Sequence, residues 1–218
     1  MKKLCMGVLV LILLLAFTVD KTDAGSPKRY PKVKSGIIKY KISGMNEGTE
    51  VVYFDNWGGD EAKYTNTTMS MMGITKKTNS LTIITDSGQW IYNIDLDKKT
   101  GTKMKNPMYD QFAGKSEKEL ENFAEEMLGA MGAKKTGSEE VAGKICDVWE
   151  SQMVKTKTCV WNGITLKAEA GLGKMSVNTV ATEVIDGASI PKDKFEVPSN
   201  VTLQEVDLSK MRGGWKPK

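Results

Sequence analysis

Between residues 36 and 206 the sequence alternates apolar and polar side chains with a period of two, and one stretch alone switches to a helical period. Period two sends successive side chains to opposite faces of a strand, so each alternating segment predicts a half-buried strand. Residues 36–43 set Ile38, Tyr40 and Ile42 against Lys39 and Lys41. Residues 50–57, 61–72, 80–85 and 89–96 continue the series, the last with Trp90, Tyr92, Ile94 and Leu96 on one side. Gly58-Gly59, Asp86-Ser87-Gly88 and Lys98-Lys99-Thr100-Gly101 supply turns. Further strands are expected over residues 141–151, 156–161, 164–170, about 175–185, and 201–206. Asn162-Gly163 is the strongest hairpin signal, because both residues accept the positive φ of a type I′ turn.

The helical stretch begins at Ser116. Ser116-Glu117-Lys118-Glu119 has the spacing of a capping box. Leu120, Phe123, Ala124, Met127, Leu128 and Met131 then recur along one face. Glu117, Glu119 and Glu121 suit the start of a helix and Lys134-Lys135 its end, with Gly132 or Gly137 as the stop.

Short turns between strands imply antiparallel neighbours, and a sheet of this length curls. The expected fold is mainly β (α+β): a curled antiparallel sheet forming a half-open barrel, with one amphipathic helix covering part of its concave face. Residues 35–208 form one domain in this reading, with an apolar cavity open to one side.

The first 24 residues have the three parts of a secretory signal. Lys2 and Lys3 precede an uncharged run over residues 4–19, and Thr22-Asp23-Ala24 places small residues for cleavage near Ala24. The alternative is an uncleaved anchor. The expected location is periplasmic or secreted. Residues 25–34 (Lys28, Arg29, Lys32, Lys34) and 209–218 (Lys210, Arg212, Lys216, Lys218) contain no acid and read as flexible basic tails. They are solubilising ends, or dock weakly on an anionic envelope surface. Nucleic acid is not an expected partner outside the cytoplasm.

The chain contains no histidine. This removes Ser-His-Asp and Cys-His triads, Cys/His zinc sites and c-type haem attachment. No other arrangement of residues marks a catalytic site, so no enzyme activity and no cofactor are expected. Beyond the leader only Cys146 and Cys159 remain. In an oxidising compartment an even pair predicts a disulfide, with free or regulatory thiols as the alternative. Trp149 and Trp161 flank this pair, where they either pack around it or stack on a ligand.

Three segments carry a family resemblance: GKICDVWESQ at 143–152, KTCVWNGITLKAE at 157–169 and IPKDKFEVPSNV at 190–201. NPMYDQF, the helix after it and KKTGSEEVAGK fit the same pattern. Over about residues 35–206 the chain resembles a poorly characterised branch of the periplasmic superfamily related to the lipoprotein carriers of the Lol system. The resemblance implies a half-open antiparallel barrel with helix in its mouth, an acyl or related lipid ligand, and a carrier, chaperone or sensor role without chemistry. One departure stands out. The lipoprotein carrier uses an arginine inside its cavity to control closure. Here the two arginines, Arg29 and Arg212, fall in the expected tails, so the resemblance implies a different hydrophobic ligand.

The expected cavity residues are Leu120, Phe123, Met127 and Met131 on the helix, with Trp90, Tyr92 and Met69 or Met71 on the sheet. Flexible, polarizable methionine suits a pocket for a variable chain. The alternative is a structural or protein-interaction module of the cell envelope whose core these same residues fill. A second alternative is Cu(I) held by thioethers. Met69 and Met71 share a strand face while Met72 points away, so such a site needs Met104 or Met108 close by.

Overall fold

The computed structural model of the protein describes residues 28–71, 73–171 and 176–208. Six strands come first: β1 (Gly36–Gly44), β2 (Asn46–Asp55), β3 (Asp60–Met71), β4 (Ile74–Thr85), β5 (Trp90–Asp95) and β6 (Thr100–Lys105). A one-turn helix, α1 (Tyr109–Phe112), leads to the long helix α2 (Glu117–Ala130). Five strands follow, β7 (Ala133–Val141), β8 (Lys144–Ser151), β9 (Thr156–Trp161), β10 (Ile164–Ala170) and β11 (Val177–Asp186), and β12 (Thr202–Val206) closes the described chain. All twelve form one open sheet in the order β12-β6-β5-β4-β3-β2-β1-β11-β10-β9-β8-β7. The two ends do not pair, so the curled sheet remains a half-barrel.

Local chemistry accounts for the elements. Ser116 Oγ accepts the Glu119 N–H, and Glu119 Oε2 accepts the Ser116 N–H at 2.8 Å, completing the expected capping box. Gly132, at φ 69°, ends the helix where a side chain would be strained. Asn162 and Gly163 both have positive φ, 49° and 82°, as the hairpin signal requires.

Several expectations need correction. Lys134 and Lys135 lie in β7, not at the helix end, because the helix stops at the first candidate glycine. Residues 133–151 form two strands instead of a single strand from about residue 140, with a tight turn at Ala142-Gly143. β4 starts at Ile74, well before Ser80. β6 lies where a turn was expected, and its Thr-Gly-Thr-Lys sequence has no apolar alternation. Pairing on both sides, with β5 and β12, makes it a strand. The β6–β12 ladder is parallel, the exception in an otherwise antiparallel sheet.

The largest correction concerns the first tail. Residues 28–34 pack against the sheet. Val33 is buried, and Tyr30 meets Phe54 edge-on with ring centroids 5.0 Å apart. The Tyr30 N–H donates to the Trp57 carbonyl at 2.9 Å, and the Trp57 N–H donates to the Lys34 carbonyl at 2.8 Å. Gly58 leaves room for this contact, since a Cβ there would stand 2.6 Å from the Tyr30 ring. The cations are engaged as well: Lys28 and Lys34 with the Trp57 ring, Lys32 with Glu121, Arg29 with Glu61. The predicted signal, residues 25–27, Met72 and the basic end over 209–218 lie outside the described residues.

The sheet carries a core on each face. β3 register places Glu61 opposite Phe54 and Lys63 opposite Val52, so these four residues share the concave face. Ala62 and Tyr64 point the other way and align with Ile83 and Leu81, which align in turn with Tyr92 and Ile94. That convex cluster is covered by Phe195, Val197, Val201 and Leu203 of the C-terminal segment. Ile38, Tyr40, Val52 and Phe54 of the concave face belong to a second cluster with Val148, Cys159, Ile164 and Leu166. A bulge in the β1–β11 ladder, where the pairing steps from Lys39–Glu183 to Tyr40–Ala181, bends the sheet there. The Tyr40 hydroxyl then reaches β10, two strands away, and donates to the Thr165 carbonyl at 2.9 Å.

Candidate functional site: the cavity beneath the long helix

Helix α2 does not fill the concave face that it spans. Of its fourteen residues Leu120 alone is buried, while Phe123 and Leu128 are half-buried. A cavity of about 730 Å³ lies under it. The floor is sheet: Ile38 and Tyr40 of β1, Glu50 and Val52 of β2, Glu61 and Lys63 of β3. Trp149, Val160, Ile164 and Ala168 form one wall, and Leu120, Phe123, Ala124 and Leu128 the roof. Phe112 of α1 enters the same space and meets Phe123 edge-on at 5.5 Å. A shallower hollow of about 370 Å³ beside the β8–β9 turn is lined mainly by polar residues such as Glu150, Lys157 and Asn178.

Segment 28–34 closes one end of the cavity. Arg29 Nη2 donates to Glu61 Oε2 at 3.0 Å, the Tyr30 hydroxyl donates to the same oxygen at 2.6 Å, and Arg29 Nη2 also contacts the Tyr30 oxygen at 3.0 Å. Burial works against the Arg29 charge, but Tyr30 and Glu61 outweigh it and hold the guanidinium above its usual pKa. Burial pushes the Tyr30 phenol well above the usual tyrosine value, and the Glu61 charge adds to this. Lys32 then ties the segment to the roof, with Nζ 2.6 Å from a Glu121 carboxylate oxygen. Arg29 is therefore at the cavity and not in a tail.

Glu50 and Lys63 face the hollow from its floor. Glu50 accepts a hydrogen bond from Thr65 Oγ1 at 2.9 Å. Lys63 has no ion pair among the described residues and is half-buried.

The expected site residues are not all brought together. Leu120 and Phe123 line the cavity. Trp90 and Tyr92 do not, because the register turns them to the convex face: Tyr92 packs into the core there, and Trp90 lies under the Lys103 ammonium at 4.0 Å. Met127 and Met131 do not line it either and are 43% and 44% exposed. Met69 does share the concave face of β3 with Glu61, yet it lies eight residues along, about 27 Å away at the rise of a strand. Met71 ends the same strand opposite Ile74. Met104 stands level with Glu61 through Ile91 and Ile84, so it is remote from Met69 and the pair cannot share an ion. The residues that sequence reasoning missed are Arg29, Tyr30, Glu61 and Lys63, whereas Trp149, for which ligand stacking was the alternative reading, lines the cavity. One available signal was Tyr30 and Val33 inside an otherwise basic stretch, since apolar groups there need cover.

Cys146 and Cys159 form the expected disulfide, joining β8 to β9 with Cα atoms 5.4 Å apart behind the cavity wall. Trp161 packs on the core next to it, and Trp149 faces the cavity.

This fold has a solved precedent. An uncharacterised conserved protein from Thermus thermophilus superposes with a TM-score of 0.50 at 10% identity, over 82% of this chain and 95% of that one. The MucA/MucB complex of Pseudomonas aeruginosa is similar at a TM-score of 0.46 and 12% identity, over 83% of this chain and 61% of that one. LprF from Mycobacterium bovis follows at 0.34 and 10%, over 81% and 93%. The Thermus likeness is one of fold alone. No family model matches the sequence, and no curated protein matches it.

Proposed function

We propose that this chain is an exported, periplasmic or secreted binding protein without catalytic activity, and that it holds a hydrophobic, acyl-bearing molecule between α2 and the concave sheet as an envelope carrier or chaperone. The observation that carries this reading is the hollow of about 730 Å³ under a helix with one buried residue. That volume falls within the roughly 300–1,000 Å³ typical of small-molecule sites. An acyl chain entering it gains about 0.8 kcal/mol per buried methylene. Lys63, at the floor, supplies a cationic anchor for an acidic head group.

Export is supported by the basic, apolar and small-residue pattern before residue 25 and by a disulfide suited to an oxidising compartment. The absence of histidine supports a non-catalytic role. The rival reading, an interaction module with a core filled by its own side chains, is disfavoured by the hollow.

Protein purified from its own envelope and analysed by native mass spectrometry, then by organic extraction, tests the proposal. Co-purifying lipid is expected, together with uptake of a fluorescent fatty acid. Ala168→Trp, which fills the wall position, should abolish uptake and leave the circular dichroism spectrum unchanged. A bare mass with no uptake, or uptake unaltered in a folded Ala168→Trp variant, would overturn it.

A further inference from the structure

The cavity floor carries its charges in a fixed order. Glu61, Lys63 and Thr65 share one face of β3. Register sets Lys63 opposite Val52 and Thr65 opposite Glu50 of β2. On the other side of β2, Val52 lies opposite Ile38 and Glu50 opposite Tyr40. Lys63 and Glu50 are therefore diagonal neighbours across the β2–β3 ladder, about 7–8 Å apart. Both are half-buried and both line the cavity.

These charges are not equally satisfied. Glu61 is bound by Arg29 and Tyr30. Lys63 and Glu50 form no ion pair among the described residues, with each other or with a third group. Glu50 accepts the Thr65 hydroxyl at Oε2, a neutral donor that leaves its charge unmatched. Burial raises the Tyr40 phenol, and the charges of Glu50 and Glu61 raise it further. An anion placed on this part of the floor therefore meets negative charge as well as Lys63.

That pattern discriminates between head groups. A purely anionic lipid would satisfy Lys63 and leave Glu50 unpaired beside it. A cationic amphiphile would do the reverse, and an uncharged one would cover both charges without a partner. A head group that carries an anion and an ammonium on a short link satisfies both. We propose that the cavity selects a zwitterionic lipid of the phosphoethanolamine type, its phosphate accepting from Lys63 Nζ and its primary ammonium donating to the Glu50 carboxylate. This assignment rests on the carrier reading and adds the head group to it. Arg29 takes no part, because Glu61 already holds its charge.

Displacement of a bound fluorescent fatty acid tests this. The competitors are lysophosphatidylethanolamine and lysophosphatidylglycerol with the same acyl chain, both below their micelle-forming concentrations. In the parent the ethanolamine lipid should displace the probe at about tenfold lower concentration, the ratio expected of one added charge-paired contact. Glu50→Gln keeps the side chain's size and its acceptor for Thr65 but removes the charge. It should bring the two lipids to parity and leave probe uptake intact. Lys63→Gln should weaken displacement by both lipids, and circular dichroism would verify that each variant is folded. Equal displacement by the two lipids in the parent, or displacement by neither, would overturn the head-group assignment and leave the carrier reading in place. So would a preference that persists in folded Glu50→Gln, or undiminished displacement by both lipids in folded Lys63→Gln. A parent that takes up neither the fatty acid nor either lipid would overturn the carrier reading, and this assignment with it.

Discussion

Arg29 and Glu61 form an ion pair of 3.0 Å at the end of the cavity, with side chains only 20% and 10% exposed. Thirty-two positions separate them in the sequence, and the pair draws the first described segment onto β3. Breaking a buried pair strands the remaining charge, at a cost of about 3–5 kcal/mol, whereas replacing both members by apolar groups is often neutral. Arg29→Met should therefore lower the urea midpoint strongly, and Arg29→Met/Glu61→Leu should recover most of the loss. A double variant no more stable than the single one would show that the pair does not act as a unit.

The same cluster sets an alkaline limit. Burial raises the Tyr30 phenol above its usual value of about 10, so the folded state holds this proton more tightly than the unfolded chain. The resulting stability is complete below about pH 10 and is lost as pH rises beyond it. Tyr40 is raised by burial too and adds to the same decline. Unfolding free energy measured from about pH 9 to 11 should fall steeply in the parent and less steeply in Tyr30→Phe. Equal slopes would refute the assignment.

The β5–β6 turn holds Lys99 at φ 56°, in the left-handed region, with its side chain exposed. This conformation costs a non-glycine L-residue roughly 1–2 kcal/mol, and asparagine tolerates it better. Lys99→Asn should raise stability by about 0.5–1 kcal/mol. The thermal midpoint reads this directly, and a decrease would count against turn strain.

The Cys146–Cys159 bridge spans a sequence separation of 13. In the chain-entropy account a loop of this size is worth about 3 kcal/mol. Cys146→Ala/Cys159→Ala should lower stability by about that amount in denaturant titrations, and reducing agent should then have no further effect. A reductant-sensitive transition in the double variant would point to a different source.

Much of the half-barrel was legible in the sequence, and the reasons are local. The capping box at Ser116 and Glu119 needs only residues within one turn of each other, and Asn162-Gly163 needs only its own φ preferences. Alternation over residues 36–43 named Ile38 and Tyr40 as one buried face before any partner strand was known. β6 was not legible, because its pairing on both sides outweighs a sequence without alternation.

For this protein, then, the order of residues by itself determined that there would be many strands, one long capped helix and a pair of cysteines able to bridge neighbouring strands. Period two separates a strand's faces, yet it does not say which face the curl encloses. That decision came from register. Pairing of Phe54 with Glu61 and of Ile83 with Tyr92 put Glu61 into the cavity and Tyr92 on the far side. The placing of Arg29 was likewise tertiary, since its charge could be buried only where a distant carboxylate and phenol were already held to receive it.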